Sequence, residues 1–371
     1  MISASRLKFP YPFSDPSSIT SDSQGPLLTE NSLKTAMSYQ WTFTVEQQAT
    51  ESLVVKANYI GSRGNNLYNL YNPNAQKPVI LNGRPYISPT APLQNPNFNS
   101  FRLISNTGEQ WYHSGQLVVD NRFQGGLRFN GSYTFSKNLD TGTSGGIKCA
   151  EQLGGTSGLA VYNNHDMNMQ KGQSGLNVKH NFILTGSYEM PFGTGRRWGS
   201  QWSPVVDHIL GGWSVSGSNS LRSGLPVDIS IAGDGQRTFC RAETTICVER
   251  PDLIPGGNNN PVLENWTTDR YYDPLQFTLN PTGFFGNNGR NTLTRPGLWN
   301  LNVSLAKTVH ITEGKNLDVR GEFFNFANHP NFGAPNAQIF DSRFDRNSEA
   351  GRITSTANAM RRIQLGLKLT F

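Results

Sequence analysis

The chain closes on nine residues, Ile363 to Phe371, in which apolar and polar side chains alternate up to a final aromatic. A strand sends successive side chains to opposite faces. Ile363, Leu365, Leu367, Leu369 and Phe371 therefore make one apolar face, and Gln364, Lys368 and Thr370 a polar one. A tilted run of about nine to eleven such residues crosses a bilayer, and an aromatic at its end suits the membrane interface. The same pattern also suits the last amphipathic strand of a water-soluble sandwich, so these residues alone leave both folds open.

The rest of the composition points to β structure: 38 Gly, 21 Pro and 11% aromatic residues among 371, with long stretches rich in Asn, Gly, Ser and Thr. No segment approaches the roughly 18 uninterrupted apolar residues of a membrane helix. A mean hydropathy of -0.48 excludes a helical membrane protein but not a barrel, whose strands hide their apolar half in alternation. The net charge of +6 comes from 32 basic and 26 acidic residues spread along the chain. Nucleic-acid binding needs a concentrated basic patch, and no such partner is expected. Cys240 and Cys247 lie in one Pro/Gly-bounded loop and form a candidate disulfide in an oxidising compartment. Cys149 stands apart, and no His or third Cys is spaced to complete a zinc site with the pair. Met1 to Pro10 has no apolar core and no small-residue cleavage site, so it does not read as a signal peptide.

A search for period two gives nine candidate spanning strands. They lie at about 37–48, 52–61, 114–123, 127–137, 180–190, 212–231, 298–307, 316–326 and the terminal nine residues. The sixth reads as one long strand with a bulge or bend at Gly224-Leu225-Pro226, since Val227, Ile229 and Ile231 keep the parity of Trp213, Val215 and Leu221. Charged side chains avoid the apolar parity almost completely. An Arg or Lys on a lipid face costs roughly 2–4 kcal/mol near the midplane, and a slip of one residue would move every charge there.

Connection lengths alternate as well. Strands one and two, three and four, and seven and eight meet in short turns, and five and six across 191–211; between these pairs, 62–113, 138–179, 232–297 and 327–360 are long. Short turns on one side and long loops on the other is the layout of an outer-membrane barrel. Aromatics fit that frame: Phe123, Tyr188, Trp213 and Phe371 fall at short-turn ends, and Trp41, Tyr59, Phe135 and Trp299 at long-loop ends. If the terminal strand runs into the periplasm, so does the first. Nine strands entered from an outer loop are odd in number, where a complete single-chain bacterial barrel has an even count. The reading is therefore all-β: an antiparallel transmembrane β-barrel fragment, open or incompletely closed, with short periplasmic turns and long extracellular loops. An extracellular loop remnant is expected at 1–32 and the C-terminal part of a barrel at 33–371.

Several segments carry a family likeness. They include Leu33-Lys34-Thr35-Ala36-Met37-Ser38-Tyr39-Gln40, Ala57-Asn58-Tyr59-Ile60-Gly61-Ser62-Arg63-Gly64, Gly131-Ser132-Tyr133-Thr134-Phe135-Ser136-Lys137, Met190-Pro191-Phe192-Gly193, Ser223-Gly224-Leu225-Pro226 and Glu322-Phe323-Phe324-Asn325-Phe326-Ala327-Asn328-His329-Pro330. From about residue 33 onward the chain resembles the C-terminal barrel of Oar-like, carboxypeptidase-regulatory-like TonB-dependent receptors. The resemblance implies a larger barrel in the Gram-negative outer membrane, a plug domain, a TonB box coupled to the TonB complex, and uptake of a ligand it does not identify. It also implies that Phe371 marks the strand for barrel assembly. It carries no catalytic residues, metal or cofactor, and no enzyme is expected.

Other constellations are weak. Asp207-His208 lacks a Gly-x-Ser-x-Gly elbow; Gly193-Thr194-Gly195 with Arg196-Arg197 lacks the βαβ context of a phosphate loop; and the six histidines never fall at metal-ligand spacing. The loops around Asp140, Asp166 and Asp234 lack the dense Asp/Asn pattern of a calcium site. Arg122, Arg128, Asp318, Arg320 and Glu322 are the candidates for lumen-facing charges that contact a plug or line a solute path, with Lys56, Asp120, Glu189, Arg362 and Lys368 on the same parity. Such charges could equally be solvated pairs across strands. A standalone barrel acting as adhesin or passive pore is the alternative function, and a secreted carbohydrate-binding sandwich a third.

Overall fold

The computed structural model describes residues 27–96, 102–141, 163, 165–232, 237–239, 249–312 and 315–371. Nine long strands form one antiparallel sheet in which neighbours in space are neighbours in sequence: β1 (Met37–Gln48), β2 (Leu53–Tyr71), β3 (Arg102–Gln124), β4 (Leu127–Asp140), β5 (His180–Glu189), β6 (Trp213–Arg222), β7 (Leu298–Thr312), β8 (Lys315–Phe324) and β9 (Arg362–Thr370). Two short strands widen it, Leu27–Thr29 parallel to β3 and Gly172–Gln173 antiparallel to β4. Among the described residues no ladder joins β1 to β9, so the wall is an open arc with those strands as its edges.

The predicted register holds across the sheet. Val45, Ala57, Leu117, Tyr133, Phe182, Leu221 and Trp299 form one continuous row over seven strands. The row beside it is Thr44, Asn58, Gln116, Thr134, Asn181 and Arg222. Apolar side chains of the first parity stand in the open, Phe43 at 67%, Leu365 at 80% and Leu367 at 75% exposure. A water-soluble sandwich would pack such a face against a second sheet; here the face is bare, as a wall solvated by lipid requires.

Turn chemistry agrees with the layout. Gly125 and Gly126 both take positive φ, 61° and 87°, and close β3 onto β4 in two residues. A Cβ on Gly126 would also stand 2.9 Å from the Glu189 carbonyl oxygen. The β5–β6 connection holds a short helix, α1 (Pro204–Leu210), capped by Ser203, whose hydroxyl accepts from the Val206 amide.

Two expectations change. β2 and β3 run about ten residues further than the sequence pattern places them, pairing as far as Tyr71 and Leu103 beyond two register shifts. Strand six does not continue to Ile231. It ends at Arg222; Pro226–Val227 then pairs with Leu293–Thr294, and Ser230–Ile231 with Gln338–Phe340. Gly224 lies so close to the Arg295 carbonyl that a Cβ could not fit between them, and Pro226 has no N–H for a wall ladder. Ile229 and Ile231 are buried, and they belong to the loops.

The hydrophobic core itself lies outside the wall. Ile229, Ile231, Tyr271, Tyr272, Phe277, Leu293, Ile339, Phe340 and Ile353 form one buried cluster drawn from 223–297 and 325–361. Trp266 closes it edge-on against Tyr271 and Phe332. A second small cluster pairs Ile87 with Phe285 and ties the loop between β2 and β3 to the one between β6 and β7. The long loops thus make a cap with its own interior, while the strands keep their apolar side chains outside.

Candidate functional site

The polar face of the wall is a network of cross-strand hydrogen bonds. The Asn58 amide donates to Gln116 (3.0 Å), whose own amide donates to Thr134 (3.3 Å). Lys56 pairs with Glu46 at 2.8 Å directly across β1 and β2. On the far strands the Asn302 amide donates to the Ser218 hydroxyl, and the Thr308 hydroxyl donates to Asp318 at 2.7 Å. These are same-face neighbours of the kind that fix register, and they leave a surface that water or a polar solute can wet.

Asp318, Arg320 and Glu322 share this parity, opposite Lys368, Gly366 and Gln364 of β9. Arg320 approaches Glu322 at 3.8 Å. Arg128 stands exposed opposite Ser187, about half the sheet away, so the structure does not bring the candidates to one point. The side chain of Arg122 lies outside the described residues, as do Cys240, Cys247, Cys149 and Asp234. Phe371 is 91% exposed beyond the end of β9.

Toward the long-loop end the polar parity is covered. Ser114, Ser136, Asn138 and Asp140 are buried; Ser136 donates to the Val178 carbonyl at 2.6 Å, and the Asn138 amide to the Asn177 side chain at 2.7 Å. Above them the loops are bound by charge. Arg84 makes a two-pronged contact with Asp252 (3.0 and 2.6 Å) and also donates to the Phe285 carbonyl. Arg250, itself buried, reaches Asp228 at 3.1 Å and Gln170 at 3.2 Å, and Arg290 pairs with Asp140. The partners are far apart in sequence, 168 residues for Arg84 and Asp252, and no local pattern marks them.

Burial sets the titration of the cap. It pushes the Tyr271 phenol up to about 12 and raises Tyr272 further; their hydroxyls donate to the carbonyls of Thr294 and Asn336, each at 2.9 Å. Glu249 is likewise raised by burial, against the lowering effect of the Thr238 and Arg237 amides that donate to its Oε1. Burial lowers Arg295, helped by the like charge of Arg222.

The outer aromatic belt holds residues that sequence reasoning assigned no role. His113 meets the Tyr59 hydroxyl at 2.8 Å beside Trp41, His180 meets Tyr133 in the same way beside Phe135, and His329 sits edge-on to Trp299. Arg63 and Lys171 flank the Trp111 ring at 4.0 and 4.2 Å. The repeated spacing of Tyr59 and Tyr133 one step from a strand histidine becomes visible only once the register is known.

At the short-turn end, a cleft of about 590 Å³ opens between the β5–β6 connection and β7–β8. The Asp207-His208 pair lines it, and among the described residues neither side chain hydrogen-bonds a serine: Asp207 accepts from the Thr194 amide at 2.7 Å, and the His208 Nδ1 sits 2.7 Å from the Pro204 carbonyl. The Gly193-Thr194-Gly195 turn therefore cradles a carboxylate of its own chain. Among the described residues no three metal-ligating side chains converge, and no helix is long and apolar enough to cross a membrane.

No curated protein matches the chain in sequence. Among solved structures it is similar to the outer membrane transporter YddB from Escherichia coli, at 9% identity and a TM-score of 0.45, over 94% of this chain and 34% of that one. It is similar also to the FrpB iron transporter from Neisseria meningitidis, at 12% identity and a TM-score of 0.40, over 92% and 32%. BauA, the ferric preacinetobactin receptor from Acinetobacter baumannii, follows at 10% identity and a TM-score of 0.34, over 89% and 36%. The chain thus spans about a third of the length of each. The model of the outer membrane beta barrel domain matches residues 3–364, nearly the whole sequence. With its exposed apolar parity and hydrogen-bonded polar parity, the chain is a wall of the outer membrane and belongs to the outer membrane beta barrel domain family.

Proposed function

We propose that this chain is the C-terminal arc of the barrel of an Oar-like TonB-dependent receptor that takes up a large solute across the outer membrane. The observation that carries the reading is the open wall: beyond β1 on one side and β9 on the other, no further strand pairs with it among the described residues. The hydrocarbon core of a bilayer tolerates no bare strand edge, so the arc completes its circle with further strands. A polar, hydrogen-bonded inner face and a folded outer cap support a solute path lined by Arg128, Asp318, Arg320 and Glu322, with a plug inside the completed barrel. The segment likenesses from Leu33 onward support the Oar-like subtype.

The test is uptake by cells that carry the gene in its natural reading frame. Accumulation of a solute too large for general porins is expected to stop when TonB is deleted. Uptake that persists without TonB would favour a passive pore, and none in either strain an adhesin. The adhesin reading draws on the cap, because loops with their own buried core, Tyr272 and Phe277 at its centre, present a fixed surface to a partner.

A further inference from the structure

The β5–β6 connection is the longest on the short-turn side, and its helix has two chemically different arcs. At about 100° per residue, Val205, Val206, Ile209 and Leu210 fall on one side of α1 and Asp207 and His208 on the other. The apolar side chains are bare, Val205 at 69% and Ile209 at 61% exposure. Asp207 and His208 instead line the short-turn cleft at the rim, together with Thr308, Asp318 and Arg320 of the polar parity and Trp213, Lys307 and Val319 of the apolar parity.

Two wall residues fix the helix in this orientation. Trp213 and Lys307 stand opposite each other on the apolar parity of β6 and β7. The Trp213 indole donates to the Ile209 carbonyl at 2.9 Å, and the Lys307 ammonium donates to the carbonyls of Asp207 (3.4 Å) and Gly211. A lysine on the lipid parity, out of place by sequence pattern, is thereby turned to the rim and buried against backbone oxygens.

We infer that α1 is an in-plane lipid contact, its Val205–Ile209 arc seated in the periplasmic leaflet as a continuation of the apolar band of the wall. The occupant is phospholipid. The arc adjoins the lipid-facing parity through Trp213, and the same connection carries an exposed Trp198 with the Arg197 guanidinium over its ring at 5.6 Å, an aromatic and a cation suited to the headgroup level. This rests on the membrane orientation proposed above, with the short turns periplasmic.

The experiment uses the protein expressed from its natural reading frame and reconstituted in phosphatidylethanolamine/phosphatidylglycerol vesicles, with Cys149, Cys240 and Cys247 changed to Ser. A single cysteine at Val205, Ile209, Arg196 or Leu365 carries an environment-sensitive fluorophore. Labels at 205 and 209 are expected to emit to the blue and to be quenched by lipids brominated on the acyl chain, as the wall label at 365 is; the label at 196 is expected to respond to aqueous iodide. Iodide quenching at 205 and 209 with bromolipid quenching at 365 would overturn the inference and leave the membrane wall standing. Protection of 205 and 209 from both quenchers would mean that protein covers the arc, and would overturn it too. Loss of bromolipid quenching at 365 would bring down both readings.

Discussion

Residue by residue, the wall obeys a rule of parity that costs differ sharply for breaking. Leu365 is 80% exposed in the middle of β9, on the lipid side, and its neighbour Gln364 faces Glu322 across the ladder. Leu365→Arg is expected to destabilise the protein expressed from its natural reading frame and folded in vesicles by about 2–4 kcal/mol, whereas Gln364→Arg places a cation beside a carboxylate and is expected to be near neutral. Urea titrations of the two variants in the same vesicles check the difference, and equal losses would mean that β9 is not lipid-facing. This parity was fully legible in the sequence, because period two is a local property. Lys307 was not, since its escape depends on carbonyls at positions 207 and 211. Trp41 is similar: it lies over Gly61, where a Cβ would collide with the indole, a contact that exists only after β1 and β2 pair.

Among the elements, strands and loops differ in how far they could be foreseen. The wall strands announced themselves, with their ends placed short where β2 and β3 leave the bilayer and lose the alternation that lipid imposes. The loops gave no such signal, and the short ladders at Pro226–Val227 and Ser230–Ile231 were absorbed into strand six because their apolar residues kept its phase. In the folded chain those residues serve the cap. Its tyrosines give the cap an alkaline limit. The phenol of Tyr271 ordinarily ionises near 10 and is held up to about 12; a group whose pKa is raised in the fold stabilises it below the unfolded value and loses that contribution as pH climbs through the folded one. Cap stability is therefore expected to fall between about pH 10 and 12, with phenolate absorbance appearing only as the cap opens. Tyr271→Phe is expected to blunt the fall; phenolate absorbance that rises near pH 10 with the cap intact would refute the assignment.

The whole molecule is built for two solvents. Among the described residues its buried cluster from Ile229 to Ile353 lies in the cap, while the long strands of the wall carry a bare apolar face. The two parts therefore answer to different conditions. Without lipid the wall loses the medium that solvates it, but the cap keeps its buried clusters and the pairs that tie them. Urea unfolding in detergent-free buffer is expected to show a transition in the fluorescence of Trp266, which packs in the cap, while strand content measured by circular dichroism stays below its value in vesicles. A single transition shared by both signals would mean that cap and wall fold only together.

The long-range pairs of the cap also have a mechanical meaning. Arg84 comes from the loop between β2 and β3, and Asp252 from the loop between β6 and β7; Arg290 of that second loop holds Asp140 at the end of β4. Such ties couple loops that leave the wall four strands apart. A load applied to one outer loop is borne by the wall at several strands, and the tied loops answer as one braced piece, not as a set of independent fingers.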